Sequence, residues 1–153
     1  MKIIIDGIEY VPVEIKKLLE DHNFRVSSEG WRKITADDKE FLVNDEKDIW
    51  EINEGEHKGE QLFTWKAAMR ETKKAGKEIP TIEELCNEDI ENIVYAGYRN
   101  PSGTFDSRGT TTYLWSSSVS GSDAWDRGLY YGSAGVYRYP GSQAFGLSVR
   151  VKK

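Results

Sequence analysis

The sequence is poor in the residues from which most catalytic and metal sites are built. Its 153 residues include one cysteine, Cys86, and two histidines, His22 and His57. A single cysteine excludes an internal disulfide and a cysteine-based zinc site, and we expect Cys86 to be a small buried apolar side chain. A Ser–His–Asp triad would need one of these histidines, and both lie in polar, loop-like segments where we expect them to be solvated. The sequence also contains no nucleophile-elbow motif. We therefore expect a protein that is not an enzyme and holds no cofactor or metal.

Long apolar runs and an excess of positive charge are also missing. No run approaches the roughly 20 residues that a membrane-spanning helix needs, and the N-terminus turns polar at Asp6, too early for a secretory signal. The formal net charge of −5 argues against a nucleic-acid partner, because phosphate binding requires a basic surface. We expect neither nucleic-acid binding nor membrane insertion. Localisation stays open, and association with a virion or cell surface would require a larger assembly.

The pattern of apolar residues predicts a single α+β domain over residues 1–153. An N-terminal hairpin is expected around Asp6 and Gly7, followed by a short helix over 14–21. Of two central helices, the first runs from about Thr64 to Ala75 and ends at Gly76. The second begins at Thr81, where Thr81 and Glu84 have the spacing of a capping box.

The rest of the chain is predicted to be extended. Upstream of the helices, short strands among acidic loops carry the expected buried anchors Trp31, Phe41, Ile49, Trp50 and Ile52. After Asn92 the helical periodicity disappears, and glycine punctuates short apolar or aromatic runs. The predicted strands there cover 94–99, 111–115, 125–131, 136–139 and 145–151.

The composition changes abruptly after Trp115. The 33 positions from Ser116 to Ser148 contain no Lys, Glu, Thr, Asn, Ile or Met, but hold 8 Ser, 6 Gly and 4 Tyr. Selection for solubility alone would have placed Lys or Glu on such a surface. Binding surfaces of the antibody type use these residues, since Tyr gives large stiff contact area while Ser and Gly give adaptable polar contacts. We therefore expect the ligand-binding surface in this stretch.

Strand alternation separates two faces within the stretch. Trp125 and Leu129, with Val136 on the next strand, are expected on the core side, and Asp126, Gly128, Tyr130, Tyr137 and Tyr139 on the displayed side. An alternative is that the tyrosines are cross-strand aromatic pairs on an ordinary half-buried sheet. The absence of Lys and Glu favours display.

Several motifs together resemble a known family. The C-terminal segments 113–118, 124–127 and 146–150 (Tyr-Leu-Trp-Ser-Ser-Ser, Ala-Trp-Asp-Arg and Gly-Leu-Ser-Val-Arg) resemble the signature of the Fibrobacter major paralogous domain group. The segments 65–68, 79–85 and 96–100 are similar to its helix, Pro-Thr-x-Glu-Glu and Ala-Gly-Tyr-Arg motifs. The resemblance covers about residues 62–153 and leaves 1–61 unmatched. It implies a C-type-lectin-like fold, related to that of formylglycine-generating enzymes.

Part of this family serves as the variable proteins of diversity-generating retroelements. In those proteins, adenine-directed mutagenesis rewrites Asn-type codons of the C-terminal region, and these codons cannot become Lys, Glu, Gln, Trp or Met. The resemblance implies that the chain is such a receptor-recognition protein, with a protein or cell-surface ligand. The implied variable, ligand-binding positions are Ser120, Asp123, Asp126, Gly128, Tyr130, Tyr131, Ser133, Gly135, Tyr137, Tyr139, Pro140, Gly141, Ser142 and Phe145. The implied scaffold includes Trp115, Trp125, Arg127, Arg138 and Arg150, together with Gln143, whose codon the mechanism cannot reach.

Other functions of the same fold stay open. A fixed surface or adhesion module, without diversification, would use the same Ser, Gly and Tyr stretch for one dedicated ligand. The related formylglycine-generating enzymes use a reactive cysteine pair, which one cysteine cannot supply. The sugar-binding motifs of C-type lectins are absent, and the acidic runs 45–48 and 88–91 leave only weak cation binding open. Ligand identity and oligomeric state are not determined by the sequence.

Overall fold

A computed structural model describes residues 3–5, 8–10 and 23–152, the first two ranges by their backbone alone. Strands β1 (Ile3–Ile5) and β2 (Ile8–Tyr10) pair antiparallel, as expected for the N-terminal hairpin. The predicted turn residues Asp6 and Gly7 lie outside the described residues. The predicted helix over 14–21 lies outside them as well.

A four-stranded antiparallel meander follows. It consists of β3 (Arg32–Ala36), β4 (Lys39–Asn44), β5 (Ile49–Ile52) and β6 (Gln61–Phe63), paired in chain order. Of the predicted anchors, Phe41, Ile49, Trp50 and Ile52 are buried. Trp31 is only half-buried, because it precedes β3 and packs at the margin of the core. The prediction for Trp31 was therefore wrong.

Both central helices form where the capping residues predicted them. Helix α1 (Trp65–Lys74) is capped by Thr64, whose side chain accepts a hydrogen bond from the Ala67 N–H at 3.3 Å. In helix α2 (Ile82–Asn87), the Thr81 hydroxyl accepts from the Glu84 N–H at 3.2 Å, and the Glu84 carboxylate accepts from the Thr81 N–H at 3.1 Å. Both halves of the predicted capping box are therefore present.

The second half of the chain contains two further sheets. Strands β7 (Tyr98–Arg99) and β8 (Phe105–Asp106) form a short antiparallel pair. Strands β9 (Thr111–Ser120), β10 (Asp123–Tyr130) and β11 (Tyr137–Ser142) form an antiparallel sheet with β10 in the centre. The predicted strands 111–115, 125–131 and 136–139 thus form at or near their expected positions as β9, β10 and β11. Strand β9 extends five residues beyond its prediction. Of the predicted strand 94–99, only the last two residues form a strand.

The terminal segment 145–151 joins the sheets rather than forming a strand of its own. Its Leu147 pairs with Phe63 of β6 through hydrogen bonds of 2.8 and 2.9 Å. Gly146 pairs with Arg99 of β7, and Ser148 pairs with β9. The segment was predicted to be one strand, but its short pairings are spread over three sheets. It therefore fixes the position of the β9–β11 sheet relative to the rest of the core.

The main core lies where these sheets meet α1. Trp115 is fully buried there, and its indole N–H donates to the Phe63 carbonyl at 2.7 Å. The described residues form two helices and antiparallel sheets, so the fold class is α+β. In the part of the chain that the structure describes, no helix has the length and apolar character needed to cross a membrane.

Candidate functional site

A cavity of about 380 Å³ opens on one face of the β9–β11 sheet. We call it the tyrosine cavity. Its lining residues come from β7 and the turn after it, from all three strands of the sheet, and from the terminal segment. They are Tyr98, Asn100, Tyr113, Asp126, Tyr130, Tyr139, Pro140, Gly141, Phe145 and Leu147.

Strand register brings the polar floor of the cavity together. In β10, Asp126, Gly128 and Tyr130 alternate, so their side chains lie on one face of the sheet. Asp126 is the cross-strand partner of Tyr139 in β11, and Gly128 is the partner of Tyr113 in β9. Directly paired residues of antiparallel strands share a face. Tyrosines from both neighbouring strands therefore lie on the same side of the sheet as the Asp126 carboxyl group.

The opposite face of β10 packs on α2. Leu129 is buried against Leu85 and Leu114, as the alternation predicted. Arg127 is also buried on this side, and its guanidinium donates to the carbonyl oxygens of Leu85 and Glu88, both at 2.7 Å. These contacts with α2 fix the position of β10, whose other face bears the cavity.

Val136 does not lie on the core side, where the sequence analysis expected it. It is 55% exposed, and it belongs to the connection 131–136, whose residues are all exposed. Strand β11 begins only at Tyr137 and forms the edge of its sheet, so alternation before that point carries no information about burial. Trp125, also expected on the core side, is half-buried and lies beneath the Arg138 guanidinium, 5.4 Å from its ring centre.

The tyrosine rings pack edge to face around the cavity. Ring centres are 5.3 Å apart for Tyr98 and Tyr113, 6.0 Å for Tyr113 and Tyr130, and 6.1 Å for Tyr113 and Tyr139. The hydroxyl groups form a chain, since Tyr130 Oη lies 3.1 Å from Tyr113 Oη and donates to Tyr139 Oη at 3.0 Å. Burial raises the pKa of Tyr113 and Tyr130 above the ordinary phenol value. These hydroxyls are therefore neutral at physiological pH.

Asp126 is the one carboxyl group among the described residues that line the cavity, and it is 5% exposed. Its Oδ1 is buried and has no hydrogen-bond partner among the described residues. Burial raises the pKa of Asp126 to about 7. Most buried carboxylates are hydrogen-bonded or paired with a cation, so an unpartnered one facing a cavity points to binding.

Gly128 keeps the space beneath the tyrosines free. A Cβ atom at this position would lie 3.0 Å from ring carbons of both Tyr113 and Tyr139, and 3.1 Å from the Tyr130 hydroxyl oxygen. These distances are shorter than ordinary van der Waals contact. Any larger residue at position 128 would push the rings outward and change the shape of the cavity.

The structure brings many of the predicted binding residues together and separates others. Six of them line the cavity: Asp126, Tyr130, Tyr139, Pro140, Gly141 and Phe145. We call residues 131–137, which are all exposed, the rim. It contains four of the predicted residues: Tyr131, Ser133, Gly135 and Tyr137. Asp123 and Ser142 line a neighbouring groove with Lys66 and Arg99.

Two predicted positions differ from the expectation of display. Asp126 and Gly128 are buried, because rings of the flanking strands cover the centre of β10. Ser120 is exposed at the β9–β10 turn, away from the cavity lining.

Sequence reasoning missed four lining residues, Tyr98, Asn100, Tyr113 and Leu147. Tyr113 could have been found, because it lies two residues before the buried Trp115 and so on the same face of an alternating strand. Tyr98 and Asn100 lie in the Ala-Gly-Tyr-Arg-Asn motif, which was noted only as a family feature. Their approach to the sheet depends on the pairing of β7 with Gly146, and no local signal reports that pairing.

The candidate catalytic residues have ordinary surroundings. Cys86 is half-buried on α2 rather than fully buried, because only Ile82 and Leu85 of that helix face the core. The His57 side chain is 13% exposed, and burial lowers its pKa, so the expectation that His57 is solvated was wrong. His22 lies outside the described residues. Within the described ranges, no three His, Cys, Asp or Glu side chains are grouped so that they could hold a metal ion.

Comparisons with protein-family models, with curated proteins and with solved structures find no match to this chain. The assignment of a function therefore depends on the residues of the site and on the motifs of the sequence.

Proposed function

We propose that the chain is a ligand-binding protein that binds through the tyrosine cavity and its rim. The observation that carries this proposal is the buried, unpartnered Asp126 carboxyl group beneath a set of tyrosines. Folding removes the water that hydrates this carboxyl group and supplies no hydrogen bond in its place, and a ligand can supply one. Tyrosines held by register and by ring packing lose little conformational freedom on binding, which favours affinity.

The scaffold we propose is C-type-lectin-like, and the chain is a variable protein of a diversity-generating retroelement. Two observations support this. The motifs over residues 62–153 resemble that family, and most positions implied as variable lie in the cavity lining or on the rim. On this proposal the rear face of β10, with Arg127 and Leu129, stays constant while the side chains on the cavity face change.

A fixed surface or adhesion module is the second candidate. One observation favours it: Tyr98 and Tyr113, which lie outside the set of implied variable positions, supply a large part of the cavity wall. A site for one dedicated ligand would be built in this way. Both candidates are binding proteins rather than enzymes, and they differ in whether the cavity face changes between copies of the gene.

Deep sequencing of this gene in its natural population separates the two candidates. Diversification predicts that substitutions cluster at codons 120–145, fall where a template copy has adenine, and spare Trp125, Arg127 and Arg138. Codons 31–63 of the meander serve as the internal control for background variation. If codons 120–145 vary no more than the control codons, the retroelement assignment is wrong and the fixed module remains.

A further inference from the structure

The walls of the tyrosine cavity are formed largely by aromatic rings, whose faces are electron-rich. Tyr98, Tyr113, Tyr130 and Tyr139 surround the opening, and Phe145 lies 6.1 Å from Tyr98 between ring centres. Aromatic rings attract cations through their quadrupoles, and several rings around one space form the type of cage that binds organic ammonium groups.

The floor of the cavity contains one carboxyl group, that of Asp126, which is charged above its pKa of about 7. Asp126 Oδ1 lacks a donor, and no Lys, Arg or His is among the lining residues. A Cβ atom at Gly141 would lie 3.0 Å from Asp126 Oδ2, so the absence of a side chain there leaves the carboxyl group open towards β11. The tyrosine hydroxyls above can accept further hydrogen bonds.

We propose that the tyrosine cavity binds an organic cation that carries N–H donors, an alkylammonium or alkylguanidinium group. This inference rests on the proposed function and assigns a ligand class to the same site. The cation's N–H groups satisfy the Asp126 carboxylate, its charge is stabilised by the rings, and its alkyl stem contacts Phe145 and Leu147. A quaternary ammonium group would leave Asp126 Oδ1 without its donor. An anion would be repelled by the carboxylate, and a neutral alcohol could donate to it but would bring no positive charge for the carboxylate and the rings to stabilise.

The rim indicates that the cation is part of a larger ligand. Tyr131 is 75% exposed, Val136 is 55% exposed and Tyr137 is 40% exposed. The Tyr137 ring lies 5.2 Å from that of Tyr130, which lines the cavity, so this exposed surface begins at the cavity and offers contact area that a small amine cannot cover. A lysine or arginine side chain on a protein surface fits both parts, with its charged end in the cavity and its backbone on the rim.

The test is a titration of the isotope-labelled full-length chain by NMR, at constant ionic strength and above the pKa of Asp126. The probes are n-butylammonium, n-butylguanidinium, tetramethylammonium, n-butanol and butyrate. We expect saturable shifts around Tyr113, Asp126 and Tyr139, with at least one N–H cation binding roughly tenfold or more tighter than n-butanol. Equal binding of n-butanol, or no binding of either N–H cation, overturns the proposal. Tighter binding of tetramethylammonium overturns the requirement for N–H donors.

Two matched variants identify the group responsible. Asp126→Asn keeps the shape of the side chain and removes its charge, so the affinity for the cations should fall to that for n-butanol. Asp89→Asn removes the same charge from an exposed position outside the cavity and should leave the titration unchanged. Equal losses of affinity in both variants would mean that the overall negative charge of the protein, and not Asp126, attracts the cation. The amide spectrum of each variant reports whether it is folded.

A further arm distinguishes the source of the cation. Lysine and arginine with blocked backbones, and neutral peptides containing one of them, are compared with the free alkyl cations. Tighter binding of the peptide supports a protein ligand that also contacts the rim, whereas equal binding supports a small amine. The titration is independent of the population sequencing. Clustered codon changes with a failed titration would therefore refute the cation assignment alone and leave the proposed function standing.

Discussion

Burial of Asp126 lowers the stability of the folded chain at neutral and higher pH. Its pKa is about 7 in the folded chain, against an ordinary value of 3.8. Between these two values the unfolded chain loses the proton while the folded chain keeps it. The free energy of unfolding therefore falls as the pH rises from about 4 to about 7, and it levels off above that. Glu60 contributes in the same direction, because burial raises its pKa to about 7 as well.

Asp126→Asn should stabilise the protein at high pH. The amide is never charged, so above pH 7 we expect the free energy of unfolding to rise by about 2–4 kcal/mol relative to the unchanged chain. Below about pH 3 the difference should vanish, because Asp126 is then protonated in the folded and in the unfolded chain. Urea unfolding at a series of pH values measures this. Glu60 should leave a residual slope in the variant, and an unchanged slope would show that Asp126 is not desolvated in solution.

The titratable groups that face Asp126 support this direction of the shift. They are the phenols Tyr98, Tyr113, Tyr130 and Tyr139, contributed by β7, β9, β10 and β11. None of the lining residues carries a positive charge that would favour the carboxylate. Ionisation of Asp126 is therefore opposed by its surroundings, and the proposed cation would favour it.

Among the elements, the β7–β8 pair depends on one glycine. Gly97 has φ +74°, and a Cβ atom there would overlap the Asp106 carbonyl oxygen and lie 2.8 Å from the Arg108 backbone nitrogen. Two backbone segments that cross this closely have no room for a side chain. The position of Tyr98, and with it one wall of the cavity, follows from this crossing.

Gly97→Ala should therefore destabilise the chain by about 3 kcal/mol or more. Gly109→Ala is the matched control, because Gly109 also has a positive φ, +91°, but has nothing within 4 Å of a Cβ. The control should lose only the conformational term of about 1–2 kcal/mol. Thermal and urea unfolding measure both. Equal losses would show that the close crossing of β7 and β8 is absent.

The capping box of α2 makes a smaller, local contribution. Thr81→Ala removes the acceptor for the Glu84 N–H, and we expect a loss of about 1 kcal/mol in the free energy of unfolding. Glu83→Ala changes an exposed residue of the same helix outside the box and should have little effect. If both variants lose the same stability, the cap does not hold the helix end in solution.

The elements that could be predicted from the sequence are those with local signals. The capping residues Thr64, Thr81 and Glu84 lie within a few residues of the helix ends they define, so both helices were found. The segment 145–151 looked like one strand because it is apolar, but its pairings with β6, β7 and β9 are set by distant parts of the chain.

The same distinction holds for the site. Alternation placed Asp126 and Tyr130 on one face of β10, and the structure does so too. Their enclosure by Tyr113 and Tyr98 could not be predicted, because it arises where three sheets meet. Asp126 was expected to be displayed, and it is instead buried at the floor.

At the scale of the whole molecule, ligand binding and folding stability are linked. A cation that binds only the folded chain raises its stability by RT ln(1 + [L]/Kd), about 1.4 kcal/mol at a concentration ten times Kd. Adding n-butylammonium above pH 7 should therefore raise the Tm of the unchanged chain. It should leave the Tm of Asp126→Asn unchanged. Sodium chloride at equal ionic strength is the control for salt, and equal shifts of Tm with both salts would contradict specific binding.

The most direct test of the binding site is a crystallographic fragment screen with cationic, neutral and anionic fragments in equal numbers. We predict that cationic fragments with N–H donors concentrate in the tyrosine cavity, within hydrogen-bond distance of Asp126. The groove beside α1, lined by Met69, Lys73 and Ile79 among others, is the internal comparison. Fragments that concentrate in that groove and leave the cavity empty would contradict the assignment of the binding site.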